Sequence, residues 1–157
     1  MSVRKVLAAT IAGLVGGVAW RVGLLRIFGP AQSILADPSR QSAKMLGAFA
    51  PGPDGPRMYT EPRLLWAGLL TIGVAYGWAF AAATSSWRGP WWRRGLAFGV
   101  LSWTLMTLWF EFYLPWNVLR EPAALVGVEL ACWLGVHLLV GATIAGVYRL
   151  VAGAATT

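Results

Sequence analysis

Charge is scarce in this chain. Charged residues make up 12% of 157, about half of what a soluble domain carries. Apolar residues make up 57% and gather in long runs, which excludes a soluble globule. Cysteine and histidine are down to one each, Cys132 and His137. A single cysteine excludes an internal disulfide and every paired-cysteine metal motif. A single histidine excludes a multi-histidine metal site and bis-histidine haem ligation within one chain. A phosphate loop is lacking too. The stretch Gly13-Leu14-Val15-Gly16-Gly17 is followed by no Lys-Ser/Thr pair and lies inside an apolar run. Ser–His–Asp catalysis has no support, because Asp37 and Asp54 lie in a polar stretch and His137 in an apolar one. Neither a metal nor a cofactor is expected from these residues, and no catalytic set is identified.

What the chain does contain is four apolar runs, at residues 6–28, 64–83, 96–114 and 123–147. A transmembrane helix needs roughly 20 apolar residues to cross about 30 Å of hydrocarbon. The runs are apolar on every face, unlike the alternating strands of a membrane barrel. The expected fold is therefore an all-α membrane protein of one domain, residues 1–157. Four transmembrane helices form an antiparallel bundle, with a short amphipathic helix in the first outer loop, 29–62. Arg4 and Lys5 ahead of the first run imitate a signal peptide. No small-x-small cleavage site closes that run, so an uncleaved first span is expected.

Basic residues outnumber acidic ones thirteen to six, a net charge of +7. They are not interleaved with the polar surface of a nucleic-acid module, so nucleic acid is not an expected partner. Basic residues instead collect beside spans on the cytoplasmic side. Arg88, Arg93 and Arg94 share the short stretch 85–95, with no acid among them. This places both termini in the cytoplasm, and a bacterial inner membrane is the guess that goes with it. Six of the ten tryptophans fall near run ends: Trp87, Trp91 and Trp92 inside, Trp66, Trp109 and Trp116 outside. They read as interfacial belts. Trp20, Trp78, Trp103 and Trp133 are left over as candidate contacts.

In the long loop, Asp37 reads as an N-cap with Pro38 as the first helical residue. Ala43, Met45, Leu46 and Phe49 give that helix an apolar face. Thr60 reads as the cap of the second span, with Pro62 in its first turn. The connection around 114–122 is tight, so the third and fourth spans form a hairpin.

Lipid tails are as apolar as leucine, so helices associate by close packing of small residues. The first span carries Ala9, Gly13 and Gly17 at four-residue intervals, and the second Gly73, Gly77 and Ala81. The fourth carries Ala123, Gly127, Ala131 and Gly135. Each stripe marks a packing seam, within the bundle or to another subunit.

Three charges interrupt the spans: Arg21, Glu111 and Glu129. A charge at mid-bilayer costs about 2.5–3.5 kcal/mol on insertion scales, so each needs a partner or a task. With the N-terminus inside, all three fall in the outer half, roughly 5–10 Å deep at 1.5 Å per residue. A buried cluster of Arg21, Glu111 and Glu129 is expected. Thr104 and Thr107 share the Glu111 face and can donate to it or to span backbones, and His137 lies broadly on the Glu129 side as a neutral, hydrogen-bonded histidine.

Three functions fit these features. The first is a non-catalytic membrane subunit or assembly component, partnered by the lipid bilayer and by other membrane subunits or a second copy of itself. The second is a small oligomeric proton-coupled transporter or channel using Glu129, Glu111 and Arg21. The third is a membrane enzyme acting on a lipid or another hydrophobic substrate, with Arg88, Arg93 and Arg94 holding an anion.

Overall fold

The computed structural model describes residues 2–49 and 56–153, apart from the side chains of Met58 and Tyr59. Those residues are overwhelmingly helical, with no strand among them. Four helices are long and apolar enough to cross a membrane: α1 (Val3–Leu35), α4 (Pro62–Ser86), α5 (Trp91–Val118) and α6 (Ala123–Ala152). The chain is thus an integral membrane protein. Two short helices, α2 (Ala43–Phe49) and α3 (Arg57–Thr60), lie between α1 and α4.

Every spanning helix is longer than its apolar run. α1 continues through Gly29 and Pro30 to Leu35 because the turn Leu24–Phe28 is π-helical. Pro30 supplies no N–H, and a widened turn absorbs that loss without a break. Phe28 and Leu35 are both buried, so the extension belongs to the core. α5 starts at Trp91, with Pro90 preceding it in extended conformation. Arg93 and Arg94 therefore stand in its first turn, and the α4–α5 connection shrinks to residues 87–90.

Two cap assignments are corrected. Asp37 does not start a helix at Pro38. Its Oδ1 accepts the Ser39 N–H at 2.9 Å and the Ser39 hydroxyl at 2.7 Å, a closed local turn that competes with helix. These two bonds, with Arg40 nearby, hold the Asp37 carboxyl below the usual carboxylate range. Ser42 caps α2 instead, its Oγ accepting the Met45 N–H at 3.0 Å. Thr60 does not cap α4 either; its hydroxyl donates to the Arg57 carbonyl at 3.1 Å.

Packing follows the small residues. α1 lies against α4 and α6, and α5 lies against α6. Along the α1–α4 seam, a Cβ built on Gly17 would sit 2.6 Å from the Leu69 carbonyl oxygen. One built on Gly13 would meet the backbone of Gly73 and Val74, and one on Gly77 the Ala9 carbonyl. Residues 9, 13 and 17 thus face 77, 73 and 69, a register that runs in opposite senses along the two helices. The α5–α6 seam uses Gly95 and Gly99 against Gly141 and His137. Contact this close is what replaces the missing hydrophobic drive between helices in lipid.

The α6 stripe divides. Gly135 meets Ile27 of α1, whereas Gly127 has nothing within 4 Å. Ala123 and Ala131 are exposed alongside Gly127. Between the seams runs a column of rings. Trp20 meets Tyr76 and His137 edge-on, Phe28 meets Trp133, and Phe98 meets Tyr76 and Phe80. Such pairs contribute about 0.5–1.5 kcal/mol each beyond area burial.

Candidate functional site

Glu111 lies on a short α-helical stretch, Trp109–Glu111, between two π-helical turns of α5, Trp103–Leu108 and Phe112–Val118. Pro115 stands inside the second turn and is buried. Its missing N–H again explains the widening. Two π-turns around one carboxylate are notable, because such bulges concentrate at functional sites.

Beyond Val118 the chain reverses in four residues. Arg120 adopts φ 58°, a left-handed conformation rare outside glycine. Leu119 N–H bonds the Leu114 carbonyl at 2.8 Å, and Glu121 N–H bonds the Pro115 carbonyl at 2.9 Å. The reversal turns Glu121 back under the helix ends, where it is 2% exposed. Glu111 is 1% exposed. With Glu129 on α6 they form one centre, in which an oxygen from each carboxyl lies within 4.8 Å of the others.

The second oxygens are unevenly served. Glu121 Oε1 accepts the Gln41 amide N–H at 2.6 Å, and that amide also donates to the Leu35 carbonyl at 3.1 Å. The Trp133 indole stands beside the Glu111 carboxyl. Glu111 Oε2 and Glu121 Oε2 are buried with no partner. Burial pushes the Glu121 carboxyl up, and the Gln41 bond opposes that shift.

Gln41 reaches the centre because the connection between α1 and α2 is clamped over it. Ser42 Oγ donates to the Leu119 carbonyl at 2.6 Å. Ser42 therefore serves both α2 and the 119–122 turn. Ser42→Ala should cost about 1–2 kcal/mol of local stability. Limited proteolysis of the 36–49 segment should speed up in proportion, and an unchanged cleavage rate would show the clamp to be idle.

Of the expected cluster, Glu111 and Glu129 meet, and Arg21 does not join them. Among the described residues the one ion pair is Arg40 with Asp37, at 3.3 Å on the surface. Arg21, half-buried, has no carboxylate of the described residues within 4.0 Å. Glu121 is the residue sequence reasoning missed. It sits beside Arg120 in a stretch that reads as a simple outer turn, and only the left-handed Arg120 sends it inward.

Thr104 and Thr107 do not serve Glu111. Thr104 is exposed and donates to the Val100 carbonyl at 2.9 Å. Thr107 is buried and bonds His137 Nε2 at 3.0 Å. The π-turn adds a residue between Thr107 and Glu111, so their i, i+4 alignment is lost. His137 is neutral-histidine-like in its contacts. Nδ1 lies 3.0 Å from Ser102 Oγ, and that hydroxyl also donates to the Gly99 carbonyl at 3.0 Å. Of the two neutral tautomers, only Nδ1–H lets all three contacts form.

The basic residues lie at the α4–α5 connection. Arg93 stands over the Trp92 ring at 5.0 Å and Arg149 over Trp91 at 6.0 Å. Arg88 and Arg149 line an open cleft there with Trp87, Trp91 and Trp92. A second open groove, about 580 Å³, runs from Trp109, Phe112 and Trp116 to Ala123 and Gly127 and is almost wholly apolar. The chain matches no protein-family model, no curated protein and no solved structure.

Proposed function

We propose that the chain is a small cation-coupled membrane transporter or channel, with Glu111, Glu121 and Glu129 as its cation site. The supporting observation is the pair of buried, partnerless oxygens on Glu111 and Glu121, converging with Glu129 where no basic side chain pairs with them. Three carboxylates in such a place repel one another and are costly to desolvate. A bound cation, a proton or a metal ion, removes both costs. Sites of this kind in membranes mark ion pathways.

The reading carries a topology with it. The four helices form an antiparallel bundle with both termini in the cytoplasm. Arg88, Arg93 and Arg94 then flank the inner face, and α2 lies at the outer surface over the carboxylates. The test is flux into proteoliposomes under an imposed pH or metal-ion gradient. Glu129→Gln should lower the rate at least tenfold. Equal rates in wild type and variant, or no flux in wild type under either gradient, would remove transport from the reading.

A second reading, a non-catalytic subunit of a larger membrane assembly, is favoured by one observation. Ala123, Gly127 and Ala131 are exposed beside an aromatic wall, while Gly13 and Gly17 of α1, Gly73 and Gly77 of α4 and Gly95 and Gly99 of α5 are used in internal seams. The same face would also join copies of the chain in an oligomeric carrier.

A further inference from the structure

We propose that the cation held by Glu111, Glu121 and Glu129 is a hard divalent metal ion of Ca²⁺ size. This rests on the reading of the three carboxylates as a cation site, but not on transport.

The donor set is all oxygen. Such a set suits hard cations such as Ca²⁺, Mg²⁺ and Mn²⁺, whereas Zn²⁺ and Cu²⁺ favour the imidazole and thiolate that are missing here. Size follows from separation. Two ligands of one ion can be no further apart than twice the metal–oxygen distance. For Ca²⁺, at about 2.3–2.6 Å, that limit is about 5 Å. The carboxylate oxygens lie within 4.8 Å of one another, so one such ion reaches any two of them as they stand, and all three with a contraction of at most a few tenths of an ångström. For Mg²⁺, at about 2.0–2.1 Å, the limit is about 4.2 Å, so the same three oxygens would have to close in further.

The two oxygens of Glu121 are divided as a ligand's would be. Oε1 is held by the Gln41 amide at 2.6 Å, while Oε2 is buried with no N–H donor, the Glu121 and Glu129 carboxyls facing each other. Glu111 repeats the pattern, with Trp133 beside its carboxyl, the Glu129 carboxyl facing it, and Oε2 buried with no N–H donor. A partner that fixes one oxygen and leaves the other for an ion is the usual support of a metal-binding carboxylate. Gln41 presents its amide nitrogen to Glu121, while its oxygen accepts the Ser42 N–H at 2.8 Å, so it supports the centre rather than ligating. Three protein ligands leave places for water on the ion. Three carboxylates with a divalent ion leave one net negative charge, against three without it.

The test uses the detergent-solubilised full chain, stripped with chelator, at neutral pH. Ca²⁺ should raise the melting temperature saturably, and Mg²⁺ should need at least tenfold higher concentrations. Glu111→Gln and Glu121→Gln should each weaken the Ca²⁺ response at least tenfold. Gln41→Leu, which removes no ligand, should weaken it about 10–100-fold. Tb³⁺ provides a readout that does not depend on the carboxylate variants folding. Trp133 is close enough to sensitise Tb³⁺ emission, excess Ca²⁺ should quench that emission, and Trp133→Phe should weaken both the emission and the Ca²⁺-induced melting shift. No Ca²⁺ response, a response that the glutamine variants keep, or Tb³⁺ emission that excess Ca²⁺ leaves intact would each overturn the proposal. Flux that persists in a protein blind to Ca²⁺ would overturn it alone and leave a proton as the cation. Ca²⁺ binding in a protein without flux would overturn transport alone.

Discussion

Gly13→Leu should leave little folded protein, whereas Gly127→Leu should be silent in the isolated chain. A Cβ on Gly13 already lies 2.7 Å from Val74 Cα and closer still to the Gly73 carbonyl. Both obstacles are backbone, so no rotamer change relieves them. Overpacking by single methyl or methylene groups costs about 1–3 kcal/mol. Gly13→Ala should therefore lower the melting temperature in detergent by several degrees, at about 2–4 °C per kcal/mol for a chain of this size. Leucine adds three more carbons to the same spot and must part α1 from α4. Gly127 has open space within 4 Å, and there a side chain replaces a poor helix former. Melting curves and gel filtration of the two variants decide the matter. Equal stability of Gly13→Leu and wild type would refute the seam. Gly127→Leu has a further use: a drop in oligomer size without loss of stability would show that the exposed α6 face holds a neighbour.

The contrast between these glycines shows which parts of the architecture can be read from spacing. Four-residue small stripes on α1 and α4 point at one another because each is the close-packing face of its helix. Gly95 and Gly99 carry the same signal, and they meet Gly141 and His137. They go unnoticed because the stretch around 85–95 resembles a basic loop. Trp91 to Arg94 are in fact a helical turn with long polar ends at the interface. On α6 the small residues occupy more than one face, and periodicity alone does not say which face finds a partner.

The carboxylate centre was half legible. Glu111 and Glu129 stand out as charges in apolar runs, and the structure joins them. Glu121 and Gln41 carry no such mark, because both lie in connections where polar residues are ordinary. What brings them in is backbone geometry: the left-handed Arg120, and the Asp37 turn that delays α2 until Ser42 can clamp onto Leu119. Arg21 illustrates the opposite error. It continues the Ala9–Gly13–Gly17 stripe, and that stripe faces α4, while both glutamates lie on α5 and α6. The π-turns account for the rest. Each adds a residue without adding a turn, so i, i+4 and i, i+7 relations do not hold across Trp103–Leu108, and Thr107 turns to His137.

That histidine should be the most expensive side chain in the core to remove. His137 is 1% exposed, bonded at both nitrogens and packed edge-on against Trp20 at 5.2 Å. His137→Ala opens a cavity, at about 2–5 kcal/mol for a large buried side chain, and strands the Thr107 hydroxyl, at about 1–3 kcal/mol more. A fall in melting temperature of ten degrees or more is the expected result. His137→Phe keeps the ring against Trp20 and should lose less, chiefly the two hydrogen bonds. Ser102 still has the Gly99 carbonyl, so the unpaired hydroxyl in that variant is Thr107. Adding Thr107→Val removes it. The double variant should therefore be more stable than His137→Phe alone, which is the signature of two coupled groups rather than two independent ones. Simple additivity of Thr107→Val and His137→Phe would mean that the hydroxyl never depended on the imidazole.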